Sequence, residues 1–353
     1  MAMTDSRDSN GPVLVTGATG YVAGWIVKEL LDAGHSVHAA VRDPNNEEKV
    51  GHLRDIAANS PGHLVLFQTD LLNPDCWAEA MAGCSVVIHT ASPFITEVDD
   101  PQRELIEPAL MGTRNVLEQA TRTPEVQRVV LTSSCAAIYT DAIECRDAPG
   151  GRLNEDIWNT TASLDYQPYS WSKVVAEREA WQVAEQQSQW QLAVINPSLV
   201  IGPSLNANPT SESFRIVRQL ADGTSRFGAP RFSIGVVDVR DLALAHVAAA
   251  CLPGVGGRYI VSGHDTDLYE MGRVLRERFG RTYPLPPRAL PRWLAVLLVP
   301  MMTGVSRRFV ARNVGHPWRA DNTRSRRDLG LHYRPMQESM EDMFVQMIER
   351  NLV

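Results

Sequence analysis

From Pro12 onward the chain alternates short, continuously apolar runs rich in β-branched residues with stretches of helical periodicity. The runs PVLVTG, SVHAAVR, HLVLFQTD, SVVIHTAS, RVVLTSS and QLAVINPS lack the in-out alternation of a half-solvated strand. Strands that are apolar throughout are those buried on both faces. Between them, Val22 to Ala33 places Val22, Ile26, Leu30, Val27 and Leu31 on one broad apolar face, and Gly34 supplies a helix stop. A further helix runs through Asn115. This alternation is the pattern of repeated βαβ units, so the predicted class is α/β with a parallel, doubly wound sheet.

After Pro197 the pattern loosens. The strand-like IGVVDV, a helix from Asp241 to Ala250 and the strand RYIVSG return to the sheet pattern, and the rest reads as helices punctuated by YPLPP, ALPRW, HPW and YRP. We therefore divide the chain into a nucleotide-binding domain of residues 11–200 plus 233–264 and a smaller, mostly helical substrate lobe of residues 201–232 plus 265–353. The apolar stretch Leu294 to Met302 is too short to span a bilayer and contains Pro300, so it reads as helix core. Arg307, Arg308, Arg312, Arg319, Arg324, Arg326 and Arg327 follow it; on a solvated helix face such arginines are ordinary, and membrane contact at Leu290 to Met302 is not expected.

Composition narrows the function. A formal net charge of -7 over 353 residues argues against nucleic acid or an anionic membrane as the main partner, since both need a positive field. A small molecule is expected instead. Cys76, Cys84, Cys135, Cys145 and Cys251 are scattered, with no C-x-x-C pair, and read as free thiols in a reducing cytosol. The N-terminal MAMTDSRDSNG is polar, unlike a secretory signal, and reads as a frayed leader. The expected location is cytoplasmic, no metal site is expected, and a homodimer is compatible with the sequence.

Two segments carry chemistry. Thr16-Gly17-Ala18-Thr19-Gly20-Tyr21-Val22-Ala23 leads from the first strand into the first helix through G-x-x-G-x-x-A. Small residues there let the backbone approach a pyrophosphate, and the helix N-terminus presents free N–H groups to it. The second strand ends in Arg42, about 20 residues beyond the loop, where NAD sites carry an acid for the ribose 2′-hydroxyl. A guanidinium there pairs with a 2′-phosphate, which favours NADP(H). Asp43 begins a turn before Pro44 and points away. Asp70 accepts from an adenine amine or caps a helix, and Leu71 packs on the ring.

The second segment is Tyr169-Ser170-Trp171-Ser172-Lys173, at the start of a helix, where Tyr169 and Lys173 share a face. A nearby ammonium favours an ionised phenol and tunes it for proton transfer. Ser134 ends the strand LTSS at the C-terminal edge of the sheet, where it can donate to a substrate carbonyl. These groups suit reversible hydride transfer between a nicotinamide and a carbonyl/alcohol substrate.

TGATGYVA, RDP, DL, HTASP, GTRNVLE, LTSS, YSWSK, NPS and VVDVRDLALAHV occur in the order of the extended short-chain dehydrogenase/reductases, which the chain resembles over nearly its whole length. HTASPF, LNEDIW and VRDP are similar to the branch of dihydroflavonol, cinnamoyl-CoA and aldehyde-ketone reductases. The resemblance implies a Rossmann-type domain, NADPH, and a catalytic Ser134, Tyr169 and Lys173. It implies 2′-phosphate contacts from Arg42 and Lys49, further cofactor contacts from Thr90, Ala91 and Ser92, and a nicotinamide lying along Pro197 and Ser198. Asn115 reads as a helix residue bonding a strand backbone, and Asp238 and Asp241 as caps. Phe94, Tyr139, Tyr166 and Phe214 are candidate walls for an apolar or aromatic carbonyl substrate. The alternatives are an NAD-dependent nucleotide-sugar epimerase or dehydratase, a hydroxysteroid dehydrogenase-like enzyme, and a noncatalytic dinucleotide sensor. Arg42 speaks against the first, and the presence of both Tyr169 and Lys173 against the last.

Overall fold

The computed structural model describes residues 11–92, 99–207, 209 and 211–353. The expected leader and Phe94 lie outside the described residues. The strands, in chain order, are β1 (Val13–Thr16), β2 (Ser36–Val41), β3 (His63–Gln68), β4 (Val86–His89), β5 (Arg128–Thr132), β6 (Gln191–Pro197), β7 (Leu199–Ile201), β8 (Ala229–Pro230), β9 (Ser233–Asp238), β10 (Gly257–Val261), β11 (His264–Asp267) and β12 (Ala289–Leu290). Seven of them form one sheet in the order β3-β2-β1-β4-β5-β6-β10. Every pairing in it is parallel, with Val13 opposite both Val37 and Val86. This is the doubly wound α/β sheet that the apolar runs predict.

Both faces of the sheet are covered, which is why its strands are apolar throughout. On one side α1 (Tyr21–Asp32) and α2 (Glu47–Ala58) pack with Ile26, Leu30, Val50 and Leu53 against Val15, Val37, Ile88 and Ile195. On the other, α3 (Trp77–Met81), α4 (Glu107–Arg122) and α5 (Pro168–Glu185) pack with Trp77, Val116, Leu117 and Ala180 against Leu14, Val87, Val129 and Val194. Chain order reverses between β1 and β4, so their C-terminal ends flank the crevice in which such sheets bind ligands.

One strand departs from expectation. β9, the IGVVDV strand, does not enter the large sheet but forms a three-stranded sheet, parallel to β7 and antiparallel to β11. Local pattern cannot show this, because an apolar strand reads the same in either sheet. Next to it α6 (Glu212–Ala221), α7 (Val239–Cys251) and α8 (Leu268–Phe279) follow, and α6 and α8 share a core with the C-terminal helix Met336–Glu349 through Phe214, Val217, Met271, Leu275, Met343 and Phe344.

The apolar segment Leu294 to Met302 is helical, within α9 (Arg292–Thr303). It is not helix core: only Ala295 is fully buried, and Trp293, Leu297, Met301 and Met302 face solvent. Its inner side packs on Val310 and Val314 of the segment around α10 (Arg307–Asn313), leaving the outer side uncovered. No helix among the described residues is long and apolar enough to cross a membrane.

Candidate active site

The first βα loop is shaped by backbone sterics. Gly17 adopts φ +63°, and a Cβ there would stand 3.1 Å from the Cα of Ala91, just after β4. Glycine is therefore required twice, for its dihedral and for the close approach. Gly20 caps α1 with extended backbone and no side-chain acceptor, so the first N–H groups of α1 keep no protein partner from a cap. Thr19, Gly20, Tyr21 and Val22 lie at this open helix end. The Tyr21 hydroxyl donates to the carbonyl of Gly202 at 2.6 Å, fastening α1 to the loop after β7.

Thr16 is fully buried between strands. Its hydroxyl bonds His89 Nδ1 at 2.9 Å and accepts from the N–H groups of Thr90 and Ala91, both at 3.1 Å. It builds the crevice floor rather than reaching into the crevice. Thr90 returns a bond to the Thr16 carbonyl at 2.5 Å.

Arg42 ends β2 exposed and lines a cavity of about 420 Å³ with Gln68, Thr69, Asp70, Asn73 and Cys76. Asp43 turns away, accepting from the N–H of Asn45 at 2.9 Å. Asp70 accepts from the N–H of Leu72 at 2.9 Å, a local turn that leaves it on the cavity wall. Leu71 is wedged against α4, where a Cβ on Gly112 would collide with it at 2.4 Å, and Asn115 donates to the Leu71 carbonyl at 3.1 Å. Asn115 thus bonds backbone, as expected, but in the turn after β3 and not in a strand. Lys49 sits exposed in the first turn of α2, whose cap is Asn46.

At the other end of the crevice, α5 begins at Pro168, preceded by Gln167 in the left-handed region at φ 58°. Proline at the first helical position costs no hydrogen bond. Tyr169 and Lys173 then project from one face, with the ammonium 5.6 Å from the centre of the phenol ring. Lys173 Nζ donates to Ser92 Oγ at 2.8 Å, which ties the helix to the loop after β4. The Tyr169 ring is 38% exposed, yet burial of its hydroxyl pushes the phenol above its ordinary pKa while a hydrogen bond with Ser134 pulls it back. Burial brings Lys173 down to about 8. The expected lowering of the Tyr169 pKa is not seen: desolvation raises it, and the opposing effect comes from the Ser134 hydrogen bond.

Ser134 lies within reach of Tyr169, its Oγ accepting from the Ala136 N–H at 3.1 Å. Pro197 closes β6, and next to it Ser198 Oγ is buried with no hydrogen-bond partner among the described residues. A buried hydroxyl left unsatisfied at a crevice edge fits a ligand that would complete it. The glycine cradle, the arginine-lined cavity and this hydroxyl are the features a dinucleotide would meet along the sheet edge. Among the described residues no group of three or more His, Cys, Asp or Glu is placed to hold a metal ion, and all five cysteines are free.

The candidate substrate walls fare differently. Phe214 is 3% exposed and meets Tyr21 edge-on at 5.4 Å, so it belongs to the lobe core and not to a pocket wall. Tyr139 packs 5.7 Å from Trp318 in a cluster with Cys135 and Ile138. Tyr166 donates to Asp141, whose oxygens lie 3.0 Å away, under the guanidinium of Arg308 at 4.1 Å. Asp141 is fully buried and paired with Arg312 and Asn313, which ties the approach to α5 to the C-terminal lobe.

A buried network behind the site was not foreseen. Glu177, one turn beyond Lys173, accepts from Ser133, from Asn196 at 2.8 Å and from Arg258 at 2.6 Å. Asn196 also donates to the Ser134 carbonyl at 3.1 Å. The available signal was a glutamate at helical spacing on the Tyr169–Lys173 face.

A parallel doubly wound sheet with this loop and with Ser, Tyr and Lys at its carboxyl edge is the architecture of the short-chain dehydrogenase/reductases. The chain belongs to their extended branch: the NAD dependent epimerase/dehydratase family matches residues 13–261. It is 38% identical over 278 residues to cinnamoyl-CoA reductase CAD2 of Medicago truncatula, covering 78% of this chain and 82% of the relative. It is 33% identical over 290 residues to anthocyanidin reductase of Arabidopsis thaliana, covering 79% and 84%. Yeast methylglyoxal/isovaleraldehyde reductase Gre2, solved in complex with NADPH, superposes with a TM-score of 0.78 at 26% identity, over 96% of this chain and 99% of that one.

Proposed function

We propose that this protein is an NADPH-dependent reductase of small aldehydes or ketones, acting on an apolar or aromatic carbonyl compound. The observation that carries the reading is the joining of Ser134, Tyr169 and Lys173 at the sheet edge, with Lys173 anchored on Ser92. The reductase relatives and the NADPH complex of Gre2 support it. NADPH, when bound, supplies the hydride.

The chain's own residues do the rest. The backbone from Gly17 to Val22 receives the pyrophosphate at the N-terminus of α1. Arg42 and Lys49 would hold the 2′-phosphate, Asp70 and Leu71 would border the adenine, and Pro197 and Ser198 would lie along the nicotinamide. Ser134 and Tyr169 hold the substrate carbonyl oxygen by hydrogen bonds. Tyr169 would give its proton to that oxygen as the carbonyl is reduced, and the resulting phenolate would take a proton back from solvent. A phenol held above its ordinary pKa is fully protonated at neutral pH, as a proton donor should be. Lys173, still mostly cationic at pH 7, stabilises the transient phenolate and holds the ribose.

Tyr169→Phe tests this. NADPH consumption with a panel of aromatic and aliphatic aldehydes and ketones should fall by roughly 10²–10⁴-fold, the usual contribution of a positioned acid. Full activity in the variant overturns the mechanism. Purified protein carrying stoichiometric NAD, with no turnover of free NADPH, would instead favour an epimerase or dehydratase.

A further inference from the structure

The outer side of α9 bears an apolar stripe that no described residue covers. Trp293, Leu297 and Met301, spaced four apart and so stacked on one helix face, are 70%, 45% and 74% exposed, and Met302 beside them is 61% exposed. Helices of soluble proteins place such residues inward; here Ala295, Val296 and Val299 already fill that role against Val310, Val314 and Phe232. α9 follows β12, which pairs with β8, Ala289 opposite Ala229 and Leu290 opposite Pro230. Just before β8, Phe227 is 68% exposed.

The chain segment that bears the stripe carries charge of one sign. Between Glu277 and Asp321 the sequence has eight arginines and no Asp or Glu, in a protein of net charge -7. Some of these arginines are spent inside the fold: Arg312 on Asp141, Arg278 on Glu341, and Arg292 on the carbonyls of Ala311 and Val314. Arg288 and Arg307, with Arg226 next to Phe227, are exposed, and no ion pair ties them among the described residues. Arg288 Nε bonds only the Phe227 carbonyl at 3.2 Å, which holds its charge beside that ring.

We propose that α9 with the β8–β12 corner is a docking surface for an anionic lipid bilayer, lying in the headgroup layer with Trp293, Leu297, Met301 and Phe227 inserted and Arg226, Arg288 and Arg307 on lipid phosphates. An amphipathic helix with an aromatic and aliphatic face flanked by arginines is the form such contacts take. Charge selects this occupant over a second copy of the chain, because self-association through this face would set like-charged arginines against one another. The contact is peripheral, α9 being too short to span.

The full chain is sedimented with vesicles of phosphatidylcholine alone and with vesicles of equimolar phosphatidylcholine and phosphatidylserine. Binding is expected to the second only and to weaken as salt is raised. Arg288→Gln and Arg307→Gln should each cost roughly five-fold in partitioning. Trp293→Ser combined with Met301→Ser should abolish binding while leaving the thermal midpoint unchanged, since both side chains are exposed. No binding to anionic vesicles overturns the proposal, as does equal binding by the double variant. So does a wild-type dimer that the double variant converts to monomer, which would assign the surface to a second copy.

Discussion

In the function proposed above, Arg42 sets a cofactor preference that its neighbours only permit. It stands at the end of β2 over a cavity shared with Asp70 and Asn73, and Asp43, the acid that could oppose a phosphate, is occupied in a turn. Arg42→Ala is expected to raise the KM for NADPH by about tenfold, the lower range for a charge-assisted bond at an exposed site, and to leave the KM for NADH nearly unchanged. Steady-state kinetics with both cofactors measures this, and equal losses for both would remove Arg42 from the 2′-phosphate site. The Arg42 position was legible because it depends on chain distance from the glycine loop. Phe214 was not: an aromatic residue on an amphipathic helix looks alike whether it lines a pocket or fills a core.

At the scale of elements, α5 carries both the proposed reactive pair and its support. Tyr169 and Lys173 face the crevice, and Glu177 continues the same face inward to Ser133, Asn196 and Arg258. The Glu177–Arg258 pair is buried on both sides, and Arg258 also lies 4.2 Å over the Trp158 ring. A buried pair contributes little beyond what it costs to desolvate, but breaking it strands one charge in the core. Glu177→Ala should therefore destabilise the fold by about 3–5 kcal/mol, read as a lower denaturant midpoint. Glu177→Gln should be milder, because its amide oxygen still accepts from Arg258. A Glu177→Ala midpoint equal to wild type would show that the pair anchors nothing. The helix and its spacing were legible from YSWSK; the partners of Glu177 were not, since Arg258 and Asn196 meet it only when β10 and β6 are laid beside β5.

Over the whole molecule, two buried histidines make acid stability predictable. His246 bonds the Leu242 carbonyl through Nδ1 at 2.8 Å and Thr132 through Nε2 at 2.7 Å, so the neutral ring holds its proton on Nδ1 and pins α7 to β5. Burial lowers its pKa to about 4, and burial with the nearby Lys173 charge lowers that of His89 to about 3. With folded values below unfolded ones, the unfolded chain binds more protons between pH 6.5 and 4, so stability falls as pH drops through that window. Each histidine contributes a slope of up to about 1.4 kcal/mol per pH unit. Denaturant titrations across the window should show the fall, and His246→Gln should flatten it. Other titrating groups shared by the two proteins cancel in that comparison.

The sequence by itself determined the order of strands and helices, the glycine loop and the Tyr169–Lys173 spacing, because each depends on periodicity or sterics within a few residues. It determined that α9 is an apolar helix and that IGVVDV is a strand. Only the tertiary structure decided that β9 leaves the large sheet, that Phe214 is core, and that the outer face of α9 is left to solvent. Hydrophobicity records that a side chain gains from leaving water, and contacts between residues distant in the chain decide what covers it.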